Sequence, residues 1–167
     1  MPGCDTGHRR AGVQHDLLRT GLRYNARATG SAAQVYGKQA ALCEGFHSLG
    51  WSATLEDVRF LSDNLILHGI DRITPHAFFV STHGLRKYDA PHSFFQQQAY
   101  WPLFKYVSQR IAGIHWHLGQ LRHAADAVVF DPSAQLSRAD SAAYDSFLHA
   151  LTAAVCEYVI GDVCFIC

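Results

Sequence analysis

The stretch Ala41–Trp51, ALCEGFHSLGW, puts a carboxylate, Glu44, directly after a short run of small and apolar residues and before Gly45, an aromatic residue and a turn. Read with the two residues before it, QAALC (39–43) is a short, small-residue strand that ends at Glu44. The acid is then either a catalytic group at a strand end or an ordinary polar residue at a strand-to-loop boundary. What surrounds the stretch decides the fold class in which that choice is posed.

Working outward, TLEDVRFLSDNLILHG (54–69) carries the strongest helical signal in the chain. Thr54 with Asp57 three residues on approximates a capping box, Val58, Leu61 and Leu65 form an apolar stripe, and Gly69 stops the helix. IDRITPHAFFV (70–80) is β-branched and aromatic, and Pro75 turns its end into loop. A long loop, Ser81 to Tyr100, holds Gly84, Pro91 and three consecutive glutamines; loops of this length in compact domains are usually functional. Trp101-Pro102 opens a second helix, with Phe104, Val107, Ile111 and Leu118 on its inner face up to Gly119. DAVVF (126–130) is a buried strand, SAAYDSFLHALTAAVCEYV (141–159) a third helix, and DVCFI (162–166) a final strand. Residues 1–33, rich in Gly, Arg, Ala and Thr, show no sustained period and read as loop with one helical turn around QHDLLRTGL. Strands alternating with helices imply parallel pairing through crossovers, hence an α/β fold.

Composition narrows the function classes. With 167 residues, 49% hydrophobic and 17% charged, the chain fits one ordinary globular domain. Lys+Arg and Asp+Glu each total 14, so no basic surface suited to a phosphate backbone is expected and nucleic acid is a poor partner. No apolar run approaches the ~20 residues of a membrane helix, and MPGCDTGHRR lacks the apolar centre of a secretory signal, so an intracellular location is expected for the chain as written. Five cysteines without framework spacing suit reduced thiols, and the closing CFIC reads as packing thiols at the end of an apolar run. A thiol-redox role would need that motif at a helix N-terminus. Among eleven histidines the tempting pair is His115 and His117, but residues two apart on a helix point about 200° apart and cannot clasp one ion.

In parallel α/β folds, sites form at the carboxyl ends of strands. Glu44 and His76 both stand at such ends. Glu44 can serve as nucleophile, general base or acceptor for a sugar hydroxyl; the plainer alternative is that it caps a turn or forms an ion pair. His76 can donate to a substrate hydroxyl or satisfy a backbone carbonyl. Trp51 and Trp101 offer flat faces suited to a sugar ring, or serve as core packing.

These residues carry a resemblance. The Ser-Ala-Ala…Tyr-Gly-Lys lead-in (31–38), Glu44 with Gly50-Trp51 behind it, Thr-Leu-Glu-Asp (54–57), Pro75-His76-Ala77-Phe78 and Tyr100-Trp101-Pro102, in this order and spacing, resemble the late catalytic barrel of α-L-rhamnosidases of glycoside hydrolase family 106. The likeness runs from about Ser31 to Ser133. It implies a partial (β/α)8 TIM barrel over residues 1–122, in which Glu44 ends the seventh strand and residues 70–80 carry the eighth. It implies a flavodoxin-like α/β segment starting within 123–167. MPGCD resembles the end of the sixth strand, which would bring Asp5 to the cleft. The implied chemistry is two-carboxylate hydrolysis of an α-L-rhamnoside or related glycoside, with Glu44 as one of the two acids, His76, Trp51, Trp101 and Asp5 as substrate contacts, and calcium near the sugar, for which no ligand is assigned here.

The sequence departs from that pattern in places. His47 stands where a small residue is expected, His92 where a proline is, and QQQA replaces a tyrosine and an asparagine–proline pair. The partner acid would lie on an earlier strand, and 167 residues hold only part of a barrel of ~250. The expectation is therefore a piece of a glycosidase, inactive alone, from a class of enzymes many of which are exported, with open strand edges and apolar helix faces that favour self-association. The competing expectation is a stand-alone α/β carbohydrate-binding or interaction module without catalysis.

Overall fold

The computed structural model describes residues 24–47, 49–88, 91–121, 123–132 and 138–161. Asp5, the QHDLLRTGL turn, CFIC and the strand expected at 162–166 lie outside the described residues. Within them the chain is mixed α/β, with four α-helices and two small parallel sheets, and no closed barrel is formed by the described residues.

The order is α1 (Tyr24–Val35), β1 (Leu42–Gly45), α2 (Leu55–Leu67), β2 (Arg72–Pro75), a 3-10 turn (Gly84–Tyr88), a second (Trp101–Leu103) leading into α3 (Phe104–Leu118), then β3 (Ala127–Phe130), α4 (Arg138–Ala153) and β4 (Tyr158–Gly161). β1 pairs parallel with β2, Glu44 opposite Thr74 and Gly45 opposite Pro75. β3 pairs parallel with β4. Each pair is joined through a helix, as the alternating pattern demands.

Local chemistry fixes α2. The Thr54 hydroxyl accepts from the Asp57 amide at 3.2 Å, and the Asp57 carboxylate accepts from the Thr54 amide at 2.8 Å, which closes the capping box. At the other end Gly69 takes φ +88°, the Ile70 amide donates to the Leu65 carbonyl and the Gly69 amide to the Ile66 carbonyl, a Schellman arrangement that satisfies these two carbonyls of the last turn. Val58, Leu61 and Leu65 are buried as their spacing requires. On one side α2 joins Cys43, Ala41 and Ile70 of the β1–β2 layer through Leu65. On the other, Val58 and Leu61 meet Phe104 and Val107 of α3, with Phe46 and Phe94 between them. Ile111 packs at the edge of this cluster, whereas Leu118 is exposed.

Three expectations need correction. Residues 24–33, read as loop, belong to α1, whose buried positions Ala26, Arg27, Gly30 and Ser31 trace a helical face. That face consists largely of small residues because α1 lies hard against the end of α2: a Cβ on Gly30 would stand 2.8 Å from the Gly69 Cα. The third expected helix stops at Ala153; Val155 takes φ +57°, and Tyr158 and Val159, expected at the helix end, open the strand β4 (Tyr158–Gly161). The first strand begins at Leu42 rather than Gln39 and includes Glu44.

α1 also binds the two sheets together. Arg27, almost fully buried, donates to the Glu157 carboxylate at 2.8 Å and lies 5.0 Å over the Tyr158 ring, while Ala28 packs on the β3–β4 cluster. The Glu157 carboxyl is partly buried, which would raise its pKa, but the hydrogen bonds from Arg27 and His123 prevail and hold it below the usual range.

Among the described residues, helices cover only one face of β1–β2. Cys43 points into the core, while Leu42, Glu44, Arg72 and Thr74, which share the other face by register, are all exposed. In β3 likewise, Val128 and Phe130 are exposed around a buried Val129. No helix of the described residues is long and apolar enough to cross a membrane.

Candidate functional site

The parallel ladder brings the two expected strand-end residues together. The His76 amide donates to the Gly45 carbonyl at 3.0 Å, continuing the β1–β2 pairing one residue past Pro75. That step sets the His76 ring beside the Glu44 side chain, with Nδ1 2.6 Å from Oε1. Glu44 is exposed and His76 half-buried, so the pair stands at the mouth of the strands. The peptide after His76 is cis.

A third residue joins them. Phe46 follows β1 with φ +71°, a backbone state that a bulky side chain rarely adopts. Its ring is buried and meets Phe94 edge-on at 5.7 Å, which holds the turn in this form. The turn carries His47 back over the strand end, so that its Nδ1 lies 2.9 Å from His76 Nδ1 and the two rings are 4.9 Å apart. One donor atom from each of Glu44, His47 and His76 falls within 4.8 Å of the others. The signal in the sequence was the Glu-x-x-His spacing of Glu44 and His47, legible only once the turn between them is known to reverse the chain.

The tryptophans sit apart from this cluster in their contacts. Trp51 is exposed, its indole N–H donates to the Lys87 carbonyl at 2.9 Å, and its ring meets His92 edge-on at 6.1 Å. Trp101 packs against Phe95 at 4.8 Å, Phe78 at 5.7 Å and Phe104 at 5.7 Å, at the edge of the central core.

The long loop is folded rather than open. The Ser93 hydroxyl accepts from the Phe79 and Phe95 amides and donates to Gln97 Oε1, while Gln97 Nε2 donates to the Phe79 carbonyl at 2.9 Å. Gln96 bonds the Val80 carbonyl at 3.2 Å. Two of the three glutamines therefore close the loop, and with Val80–His83 they line a shallow hollow of ≈ 340 Å³. His92 is buried against Phe94 at 4.1 Å, neither ring nitrogen has a hydrogen-bond partner among the described residues, and burial pushes its pKa down to about 4.

Calcium takes about six to eight oxygen ligands. The Glu44–His47–His76 cluster offers two imidazole nitrogens and one carboxylate and does not fit that ion. Chemically the arrangement can hold a carboxylate in a fixed orientation by an imidazole N–H, or converge three donors on one cation. Comparison of the chain with protein-family models, curated proteins and solved structures finds no match.

Proposed function

We propose that this chain supplies late strands of a rhamnosidase-type glycoside hydrolase barrel and the start of a flavodoxin-like segment, with Glu44 as one of the two carboxylates that cleave the glycoside. The observation that supports this reading is the one-sided β1–β2 sheet. Parallel sheets are ordinarily covered on both faces. A (β/α)8 barrel meets the same need differently, because its inner face is closed by side chains from the remaining strands. Leu42, Glu44, Arg72 and Thr74 occupy the uncovered face, with Glu44 at its carboxyl end, where barrel enzymes place their chemistry.

In this reading the His76 imidazole, 2.6 Å from Oε1, orients the Glu44 carboxylate that takes a proton from water. Inverting hydrolysis needs a second acid to protonate the leaving oxygen, about 6.5–9.5 Å from the first. That acid belongs to an earlier strand of the barrel, so the 167-residue chain is inactive by itself. The test is hydrolysis of an aryl α-L-rhamnoside by the chain alone and by a barrel completed with the preceding strands of such an enzyme. The completed barrel gains turnover that Glu44→Gln removes; turnover by the isolated chain, or a completed barrel indifferent to Glu44→Gln, overturns the reading.

One observation favours a second reading, a carbohydrate-binding module. Trp51 is exposed yet pinned by Lys87 and His92, a stacking face already ordered before a sugar arrives. Monosaccharide binding lost on Trp51→Ala and kept on Glu44→Gln would select this alternative.

A further inference from the structure

The contacts around His76 contain a conflict. A ring nitrogen has one in-plane position, filled either by a proton or by a lone pair. His76 Nδ1 lies 2.6 Å from Glu44 Oε1 and 2.9 Å from His47 Nδ1, so both atoms compete for that one position. If it carries a proton, the bond to the carboxylate is made and His47 Nδ1 must share that proton, since it has no lone pair on His76 to donate to. If it carries a lone pair, it can accept from His47 but is set against the carboxylate. One proton cannot serve all three atoms well, whereas a cation accepts all three lone pairs.

We propose that Glu44, His47 and His76 form a three-ligand site for a divalent ion of the zinc class, with a further coordination position open at the mouth of the strands. Two histidines and one carboxylate, with a fourth position left to water or substrate, is a donor set that zinc accepts in catalytic sites. Tetrahedral bonds of about 2.0–2.1 Å put donors about 3.3–3.4 Å apart. The two separations from His76, 2.6 and 2.9 Å, fall short of that spacing by less than about 1 Å and all three donors lie within 4.8 Å of one another, so side-chain rotations that open the cluster slightly complete the site. The partial exposure of all three side chains provides the entry path. The inference does not rest on the glycosidase reading, because it concerns the metal alone; an ion bound here would engage Glu44 as a ligand and withdraw it from proton transfer.

The test is titration of the EDTA-stripped 167-residue chain with Zn(II) by calorimetry, and with Co(II) by visible absorption, in the absence of sugar. The chain carries Cys4→Ser, Cys156→Ser, Cys164→Ser and Cys167→Ser, which leaves only the buried Cys43 thiol. One Zn(II) is expected per chain, with a Co(II) spectrum of low coordination number. His47→Ala, His76→Ala and Glu44→Ala should each weaken binding by more than the roughly 10–100-fold that loss of an outer-shell partner costs. His83→Ala, an exposed histidine elsewhere, should leave it unchanged, and circular dichroism establishes that the variants stay folded. Absence of Zn(II) binding, binding unchanged in both His47→Ala and His76→Ala, or preference for Ca(II) over Zn(II) overturns the proposal.

Discussion

Gly30→Ala tests whether α1 is seated on α2 as described. The new Cβ would lie 2.8 Å from the Gly69 Cα and 3.0 Å from the Gly69 carbonyl carbon, and closest of all to the His68 carbonyl oxygen. All three are backbone atoms in the turn that the Gly69 and Ile70 amides close onto the Ile66 and Leu65 carbonyls, so there is no side chain to swing aside. Ordinary contact begins near 3.4 Å, so α1 must withdraw by at least about 0.6 Å from Gly69 and further from the oxygen. Withdrawal loosens Ala26, Arg27 and Ser31, all buried on the same face, and lengthens the 2.8 Å bond from Arg27 to Glu157. Overpacking of this kind costs about 1–3 kcal/mol, with the loosened bond adding to the upper part of that range. Alanine's better helix propensity returns about 1 kcal/mol. The expected net loss is roughly 1–2 kcal/mol, read as a lower urea midpoint at unchanged slope. Gly113→Ala in α3 is the matched control, because nothing lies within 4 Å of its Cβ, and it should gain up to about 1 kcal/mol. If Gly30→Ala is as stable as Gly113→Ala, the close seating of α1 is wrong.

Three further outcomes follow from single environments. Burial holds His92 neutral down to about pH 4, while the unfolded chain protonates it near 6.5, so unfolding takes up a proton and stability falls as pH drops through that window, by at most about 3 kcal/mol; His92→Leu should flatten that slope, and urea titrations with identical acid limbs in both proteins would refute the assignment. Phe46→Ala relieves little of its left-handed backbone strain, worth about 1–2 kcal/mol, but forfeits a buried ring worth about 3–5, so a net fall of at least 2 kcal/mol is expected, and a stabilised variant in thermal melts would show that strain dominates. The exposed Leu42, Val128 and Phe130 should make the chain self-associate; Val128→Lys should shift sedimentation toward the 18.5 kDa monomer, and a wild-type chain already monomeric at all concentrations would remove that expectation.

How much was legible depended on how local the cause was. The start, stripe and stop of α2 are all set within sixteen residues, so Thr54, Asp57 and Gly69 could be read directly. The parallel pairing followed from alternation alone. α1 was illegible because its buried face is built from Ala26, Gly30 and Ser31, chosen for proximity to Gly69 rather than for hydrophobicity, and so leaves no apolar period. β4 was absorbed into the preceding helix because Tyr158–Gly161 is a short apolar run, and such runs do not distinguish helix from strand by period. The glutamines of the long loop looked like an altered active-site loop; Gln97 instead completes a bond network around Ser93 that only the fold reveals. At the site, Glu44 and His76 were readable as strand ends, whereas His47 depends on a φ at Phe46 that no residue preference signals.

The three site residues therefore have different supports, and this separates their roles. Glu44 and His76 are placed by the ladder, through the Gly45 carbonyl and the Glu44–Thr74 register, and that pairing survives any change that leaves β1 and β2 in contact. His47 is placed by the aromatic layer: Phe46 on Phe94, Phe94 on His92, His92 on Trp51. A loss in that layer should release His47 while keeping the Glu44–His76 pair. Chemistry that needs only a carboxylate oriented by one imidazole would then persist, and chemistry that needs three converging donors would not. On the two proposals above, the packing of Phe46 would decide between proton transfer and cation binding at the same strand end, and would do so from the core rather than from the site itself.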